Sequence, residues 1–384
     1  MHIGIVTDTY LPRVNGVVQS IRTFTQQFRK RGHKVTIMAP AFPEIKEPEQ
    51  DIWRFPSRYL FFNPEDRLPK PNDPVSRKML RQIPELKLDI IHTQTPFALG
   101  IAVAKLARKL NIPSVHTYHT LFEAYMPLYF PYIPAFMGKW FARSFSRKFC
   151  NWHTQVVVPS TAIAQVLKEY GVKSPIAIIP TGTDLTPFQK VDGERMRKKM
   201  GFGPDQPLLL TMGRVAHEKN IPFLFDVLER LKNKQAKLVI AGQGPALEDV
   251  KAISRQRKLG DRVMFVGLLS KEDWADLYAA ADLHLLASVT ETQGLVPTEA
   301  MAAGTPCVAV AAMGVKDVMA GGGGLAVPLD VAQFTDAVDR MLSDKKFYKE
   351  KKDECKTQAK LWSAEAKAEQ MLANYQQLID HFKK

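Results

Sequence analysis

The chain has 384 residues, of which 45% are hydrophobic, 24% charged and 9% aromatic, and its formal net charge is +14 at pH 7. At roughly 100–200 residues per domain this length supports about two domains, each with a proper core. The composition excludes wholesale disorder, a collagen-like repeat and a disulfide scaffold. The charge is uneven: residues 1–180 hold 24 basic and 12 acidic side chains, whereas residues 181–384 hold 29 and 27. A surplus confined to one half points to an anionic partner for that half. Cys150, Cys307 and Cys355 are scattered without CxxC spacing. That argues against a zinc site and fits a reducing compartment.

In chain order, residues 2–7 read as a buried strand rather than a signal peptide. Residues 17–31 read as a helix closed at Gly32, and 34–39 as a second strand. Residues 40–74 carry eight prolines and are expected to be largely loop. Then come a strand at 88–92, a helix at 98–110, a strand at 114–118 and a helix at 137–152. A strand at 155–159, a helix at 163–170 and a strand at 176–179 close the series. After a connector at 180–189, strands are expected at 208–212, 237–241, 262–266, 283–287, 306–311 and 324–327. Helices at 223–231, 247–259, 274–279, 298–303 and 332–342 lie between them. Residues 363–384 form a last amphipathic helix. No run approaches 18 apolar residues, so no membrane-spanning helix is expected. Two successive βα series imply an α/β chain of two doubly wound parallel-sheet domains. Ligands in such sheets bind at the carboxyl ends of strands, here in a cleft between the domains.

The first strand runs into Thr7-Asp8-Thr9-Tyr10-Leu11-Pro12 instead of GxGxxG, which disfavours a nicotinamide or flavin enzyme. The richest segment is Thr290-Glu291-Thr292-Gln293-Gly294-Leu295-Val296-Pro297-Thr298-Glu299, passing from a strand into a helix. A helix start offers backbone N–H groups and a positive dipole end to a phosphate. Glu291 and Glu299 can accept hydrogen bonds from sugar and ribose hydroxyls; Glu299 equally suits simple dipole compensation. Gly213-Arg214-Val215-Ala216-His217-Glu218-Lys219-Asn220 also follows a strand, and supplies a fork and a point charge for phosphate oxygens. Gly242-Gln243-Gly244-Pro245 and Gly321–Gly324 read first as turns. In the first half, His116-Thr117-Tyr118-His119-Thr120 ends a strand, and Asn15-Gly16-Val17 opens a helix.

These segments together resemble glycosyltransferase family 4, the retaining enzymes of GT-B fold. Glu291 and Glu299 match that family's E-x7-E motif, and Gly213-Arg214 with Glu218-Lys219-Asn220 matches its donor-diphosphate loop. The resemblance runs from Ile3 to Val327. It implies two Rossmann-like domains facing a cleft: an acceptor domain over 1–179, with helix 363–384 crossing back to it, and a nucleotide-sugar domain over 180–362. It implies that Arg214 and Lys219 neutralise the leaving diphosphate and that Glu299 holds the ribose. Glu291, with the backbone of Thr292, Gln293, Gly294 and Leu295, would orient the donor sugar. Gly213 and Gly16 would lie near the donor phosphates, and His119 near the reacting sugar. No protein nucleophile, cofactor or metal is assigned. Asn15 stands where many members have glycine.

Tyr10-Leu11-Pro12, Asn15-Gly16-Val17-Val18, the His116–Thr120 stretch and Thr290–Leu295 are similar to the diacylglycerol glucosyltransferase branch. That branch implies UDP-glucose as donor and a membrane lipid as acceptor, with GDP-mannose and a phosphatidylinositol-type lipid as the alternative. At about 100° per residue, Phe141, Phe145, Phe149 and Trp152 fall on one helical stripe. Lys139, Arg143 and Arg147 fall roughly opposite. This suits an anionic membrane surface, while a buried aromatic stripe beneath a solvated basic face is the simpler structural alternative. Tyr10 and Tyr59-Leu60-Phe61-Phe62 are further lipid-contact candidates. The expected setting is cytoplasmic, peripheral to the inner face of the cell membrane. A nucleic-acid partner is disfavoured by the absence of any helix-turn-helix, zinc-finger or RNP signature.

Overall fold

The computed structural model describes residues 1–13, 15–45, 50–60, 63–123 and 134–382. The chain divides into a first unit, Met1–Gly182 with Lys367–Lys384, and a second unit, Thr183–Ala366.

In the first unit, β1 (His2–Val6), β2 (Lys34–Pro40), β3 (Ile52–Phe55), β6 (Ile90–Thr93), β7 (Ser114–Thr117), β8 (Gln155–Val158) and β9 (Ile176–Ile178) form one sheet. Its order is β3-β2-β1-β6-β7-β8-β9, and every pairing is parallel. Alternate side chains feed two cores, as expected of a sheet covered on both faces. Ile3 and Ile5 pack with Ile21, Phe24 and Phe28 of the helix Gly16–Lys30. Val6 packs with Leu99, Val103 and Ala107 of the helix Ala98–Lys109. The helix Ala364–Phe382 adds Ala368, Met371, Leu372, Tyr375 and Ile379 to the first core, a spacing of three and four residues that makes one face.

Residues 40–74 correct the sequence reading. They contain β3 and an antiparallel pair, β4 (Ser57–Leu60) with β5 (Asn63–Pro69). Prolines are compatible here because β3 is an edge strand and β4–β5 is a separate two-stranded sheet. Ser57 and Arg67 tie the pair together through Nε to Oγ at 2.7 Å. A short helix, Pro74–Gln82, follows, with Asp73 accepting from Val75 N and proline in the first turn.

In the second unit, β10 (Leu208–Met212), β11 (Lys237–Ala241), β12 (Val263–Gly267), β13 (Leu283–Leu286), β14 (Cys307–Val310) and β15 (Gly324–Val327) are ordered β12-β11-β10-β13-β14-β15, all parallel. Leu209, Leu238, Ile240, Leu283 and Leu285 face one core, and Leu208, Leu210, Val239 and Leu286 the other. Three helices of this unit, like Pro74–Gln82 in the first, were not read from sequence: Gly193–Lys199, Met313–Met319 and Lys345–Leu361. The last one explains the four glycines. A Cβ at Gly321 would meet Gln358, and one at Gly322 would meet Glu354, at 2.4 and 2.3 Å. Gly323 N donates to Glu354 Oε2 at 2.8 Å. The run is a close seat for a helix.

Candidate functional site

Each sheet has one place where the strand order reverses direction. In the second unit it lies between β10 and β13, which are paired through Leu209 with Leu283 and Leu210 with His284. Loops diverge at such a point and leave a crevice at the strand carboxyl ends. The two segments singled out from sequence are the loops that leave β10 and β13.

The β10 loop is braced from β11. Val215 N donates to Gln243 O at 2.9 Å, and Ala246 N donates to Val215 O at 3.1 Å. A Cβ at Gly242 would stand 1.9 Å from Gly213 O, and one at Gly244 2.1 Å from Val215 O. These glycines permit backbone to lie on backbone. The β13 loop is braced in the same manner: Gly314 N donates to Glu291 O at 2.9 Å, and a Cβ at Gly314 would come within 2.4 Å of Thr292 O. Gly294, at φ 90°, opens the helix Leu295–Ala302 without a side-chain cap.

The loops meet through an ion pair between Lys219 Nζ and Glu291 Oε1, both side chains largely shielded from solvent. Arg214 extends outward, 3.7 Å from Glu218. Glu299 is half-buried one helical turn further on. Its Oε2 accepts from Tyr278 Oη at 2.9 Å. Burial pushes its carboxyl up to about 7, opposed by the tyrosine hydrogen bond. The structure therefore brings Gly213, Lys219, Glu291, Thr292, Gln293, Gly294, Leu295 and Glu299 into adjoining loops of one unit.

In the first unit the reversal lies between β1 and β6. Asp8, at the end of β1, is buried there and accepts from Leu99 N at 2.7 Å, Gly100 N at 3.2 Å and Thr95 Oγ1 at 2.7 Å. It thus caps the helix that follows the other strand. Burial raises its carboxyl, with these donors opposing. His119 Nε2 lies 2.8 Å from Gln94 Oε1, so this nitrogen donates and Nδ1 is left as the acceptor. Desolvation pushes His119 down to about 4, which keeps the ring neutral. Gly16 is the first residue of its helix, with open space beside it. Asn15 is the N-cap: its Oδ1 accepts from Val18 N at 2.9 Å and its Nδ2 donates to Thr9 Oγ1 at 3.1 Å. The replacement of glycine by asparagine is thus a capped helix start.

The helix Ala135–Cys150 divides the candidates for acceptor and membrane contact. Phe141 is 58% exposed and stacks on half-buried Phe145, which stacks in turn on buried Phe149. The predicted stripe therefore runs from the surface into the core. Lys139, Arg143 and Arg147 are exposed, and Arg143 Nε reaches Glu123 at 2.7 Å. Sequence reasoning missed Phe136 and Trp140, 73% and 69% exposed, although their spacing of four was legible. Tyr10 is a correction. It is buried in the core, with the Arg54 guanidinium 5.4 Å from its ring centroid, and does not offer its ring to a lipid. Tyr59 is exposed under Arg67, whereas Phe61 and Phe62 lie outside the described residues. Sequence reasoning also missed Asp8, Gln94 and Tyr278, which act through partners distant in the chain. Among the described residues, no three His, Cys, Asp or Glu side chains are grouped to hold a metal ion, and no helix is long and apolar enough to cross a membrane.

Two Rossmann-like units with polar loops gathered at the strand reversals define the GT-B class of glycosyltransferase. Solved structures share this fold. Anabaena HepE in complex with UDP superposes with a TM-score of 0.79 at 18% identity, covering 98% of this chain and 100% of that one. Sucrose-phosphate synthase from Thermosynechococcus elongatus gives 0.77 at 22%, covering 99% of both. Residues 14–187 match the model of Glycosyltransferase Family 4, and residues 192–362 that of Glycosyl transferases group 1. The alpha-monoglucosyldiacylglycerol synthase of Streptococcus pneumoniae is 36% identical over 80% of this chain and 71% of its own. Its counterpart in Acholeplasma laidlawii is 27% identical over 80% of each. A GDP-mannose-dependent alpha-mannosyltransferase of Corynebacterium glutamicum is 28% identical over 88% of this chain and 79% of its own. The chain belongs to glycosyltransferase family 4.

Proposed function

We propose that the protein is a retaining glucosyltransferase that moves glucose from UDP-glucose onto 1,2-diacylglycerol at an anionic membrane surface. The observation that carries this reading is the Lys219–Glu291 pair, which joins the loops of β10 and β13 at the strand reversal. Departure of a nucleoside diphosphate builds negative charge at that point. Lys219 and Arg214 neutralise it, and fixed cations lower such a barrier without reorganisation. Glu291 then passes from Lys219 to the hydroxyls of the donor sugar, and Glu299 takes the ribose. The family resemblance assigns Gly16 to the donor phosphates and His119 to the reacting sugar. The acceptor attacks on the face the diphosphate leaves, and the departing phosphate oxygen takes its proton. No protein nucleophile or metal takes part.

The acceptor is assigned to the first unit. Two relatives named for a glucosylated diacylglycerol support it. So do the exposed Phe136, Trp140 and Phe141 beside Lys139 and Arg147, which suit peripheral attachment to the inner face of the cell membrane. The mannosyltransferase relatives favour a second reading, GDP-mannose with a phosphatidylinositol-type lipid. A matrix of UDP-glucose and GDP-mannose against diacylglycerol liposomes, phosphatidylinositol liposomes and soluble sugars tests both. UDP-glucose with diacylglycerol is expected to give an α-linked glycolipid. Transfer to a soluble sugar with none to lipid would overturn the reading.

A further inference from the structure

Tyr278 is fully buried, and its hydroxyl serves a single carboxyl. It leaves the helix Lys271–Ala280 and donates to Glu299 Oε2 at 2.9 Å. Its ring is wedged among Phe188, Trp274 and His284, with centroids 6.1, 5.7 and 5.8 Å away. Its carbonyl accepts from Thr305 Oγ1 at 2.6 Å. A phenol held on so many sides keeps its proton aimed at one place.

The chemistry of the carboxyl gives this contact a consequence. An ionised carboxylate only accepts hydrogen bonds, whereas a protonated one also donates. The vicinal diol of a ribose offers two O–H donors, and an ionised carboxylate accepts both more strongly than the neutral acid does. With Tyr278 on Oε2, Oε1 is left for the diol. Burial opposes ionisation and holds Glu299 near neutrality, while the tyrosine hydrogen bond favours it. The titratable groups on neighbouring elements are His284 on β13, Cys307 on β14 and Cys355 on the helix Lys345–Leu361; burial keeps all three uncharged at pH 7. Asp276 is held by Arg195 at 2.6 Å, Asp273 by Lys199 at 2.7 Å and Glu354 by Lys351 at 2.7 Å. Lys316 and Asp317 lie on Met313–Met319, and the Lys219–Glu291 pair joins the adjoining loops.

We propose that Tyr278 is a positioning residue of the donor site, whose hydroxyl holds the Glu299 carboxylate ready for a ribose diol, so that binding a nucleoside diphosphate sugar expels a proton. The proton passes from the Glu299 carboxyl to solvent, and the diol keeps both of its own. The inference rests on Glu299 as the ribose ligand.

Calorimetric titration with UDP-glucose in buffers of different ionisation enthalpy counts the protons. The diphosphate of this donor is fully ionised throughout the range, so it contributes none. About one proton is expected to leave at pH 6.0 and nearly none at pH 8.5. Tyr278→Phe keeps the packed ring and removes the hydroxyl. It is expected to weaken binding roughly tenfold at pH 8.5 and to move the pH midpoint of affinity up by about one unit. Weaker binding with the midpoint unmoved marks a merely structural role and overturns the proposal. So does a wild-type protein that releases no proton at pH 6.0, a result independent of any variant. Glu299→Gln separates the two layers: it is expected to lose both affinity and proton release. If it binds like the wild type, the ribose assignment itself is wrong.

Discussion

In the first unit, the loops at the strand reversal are fastened by Asp8, whose carboxylate is spent on Thr95, Leu99 and Gly100. In the second, the corresponding loops are fastened by Lys219 against Glu291. The topologies match, but the fastenings differ in kind. Asp8 is a buried brace with no group left for a ligand. On the proposed reading, Lys219 and Glu291 exchange partners, one for a phosphate and the other for a hydroxyl. In that reading the junction in the second unit opens to a donor, whereas the one in the first unit is held by Asp8. The buried histidines sharpen the contrast. His92, His116 and His153 lie in the first unit, where Thr93 Oγ1 is 3.0 Å from both His116 Nδ1 and His153 Nε2. In the second unit, His284 alone is described as buried.

Acid is the strongest way to test that contrast. Burial lowers all these histidines, His119 and His153 to about 4, so the folded rings stay neutral. The unfolded chain takes up protons as the pH falls past the ordinary value of 6.5. Stability is thus whole above 6.5 and is lost progressively below it, by up to about 1.4 kcal/mol per pH unit for each ring. Hydrogen exchange at pH 7.0 and 5.5 should show amides of β6 to β8 losing far more protection than those of β10 to β14. Equal losses in both units would remove the claim.

Lys219→Ala is next in size. It strips the exchangeable fastening of its cation, and turnover should fall about 100-fold or more with the fold intact. An unchanged rate would mean that Lys219 does not meet the diphosphate.

The proposed membrane face, with exposed Phe136, Trp140 and Phe141, lies in the first unit. Trp140→Ala with Lys139→Glu and Arg147→Glu should weaken sedimentation with anionic liposomes by roughly tenfold or more, at about 1 kcal/mol for each lost cation. Donor affinity should not move, because none of these three residues is assigned to the donor. Undiminished liposome binding would transfer attachment elsewhere in the chain.

The legible part of this chain was whatever its strands and loops announce locally. Buried parallel strands such as Leu208–Met212 and Lys237–Ala241 read as apolar runs, and their bounds were found to the residue. The loops after β10 and β13 were legible because their charged residues fall within short segments, Arg214 to Lys219 and Glu291 to Glu299. β3 and the β4–β5 pair were hidden by prolines, whose tolerance depends on an edge position that only tertiary structure reveals. The helix Lys345–Leu361 was hidden by its charge, since it buries only Cys355, Gln358 and Ala359. Tyr278 could not be found, because its meaning lies in a carboxylate 21 residues away.

Asn15 makes the smallest prediction and a direct one about the first unit's loop. Its side chain closes the start of Gly16–Lys30 by accepting from Val18 N and steadies Thr9 through its amide. Asn15→Ala leaves that backbone donor without its cap and should cost about 1 kcal/mol. For a unit of this size, that is a loss of roughly 2–4 °C in melting temperature. Asn15→Gly, the residue found at this place in many family members, should cost only a few tenths of a kcal/mol, because glycine lets water reach the exposed N–H. The two variants therefore separate capping from conformational freedom. If glycine is as damaging as alanine, the amide's bond to Thr9 is the contact that matters, and the loop after β1 is held by that bond rather than by the helix start.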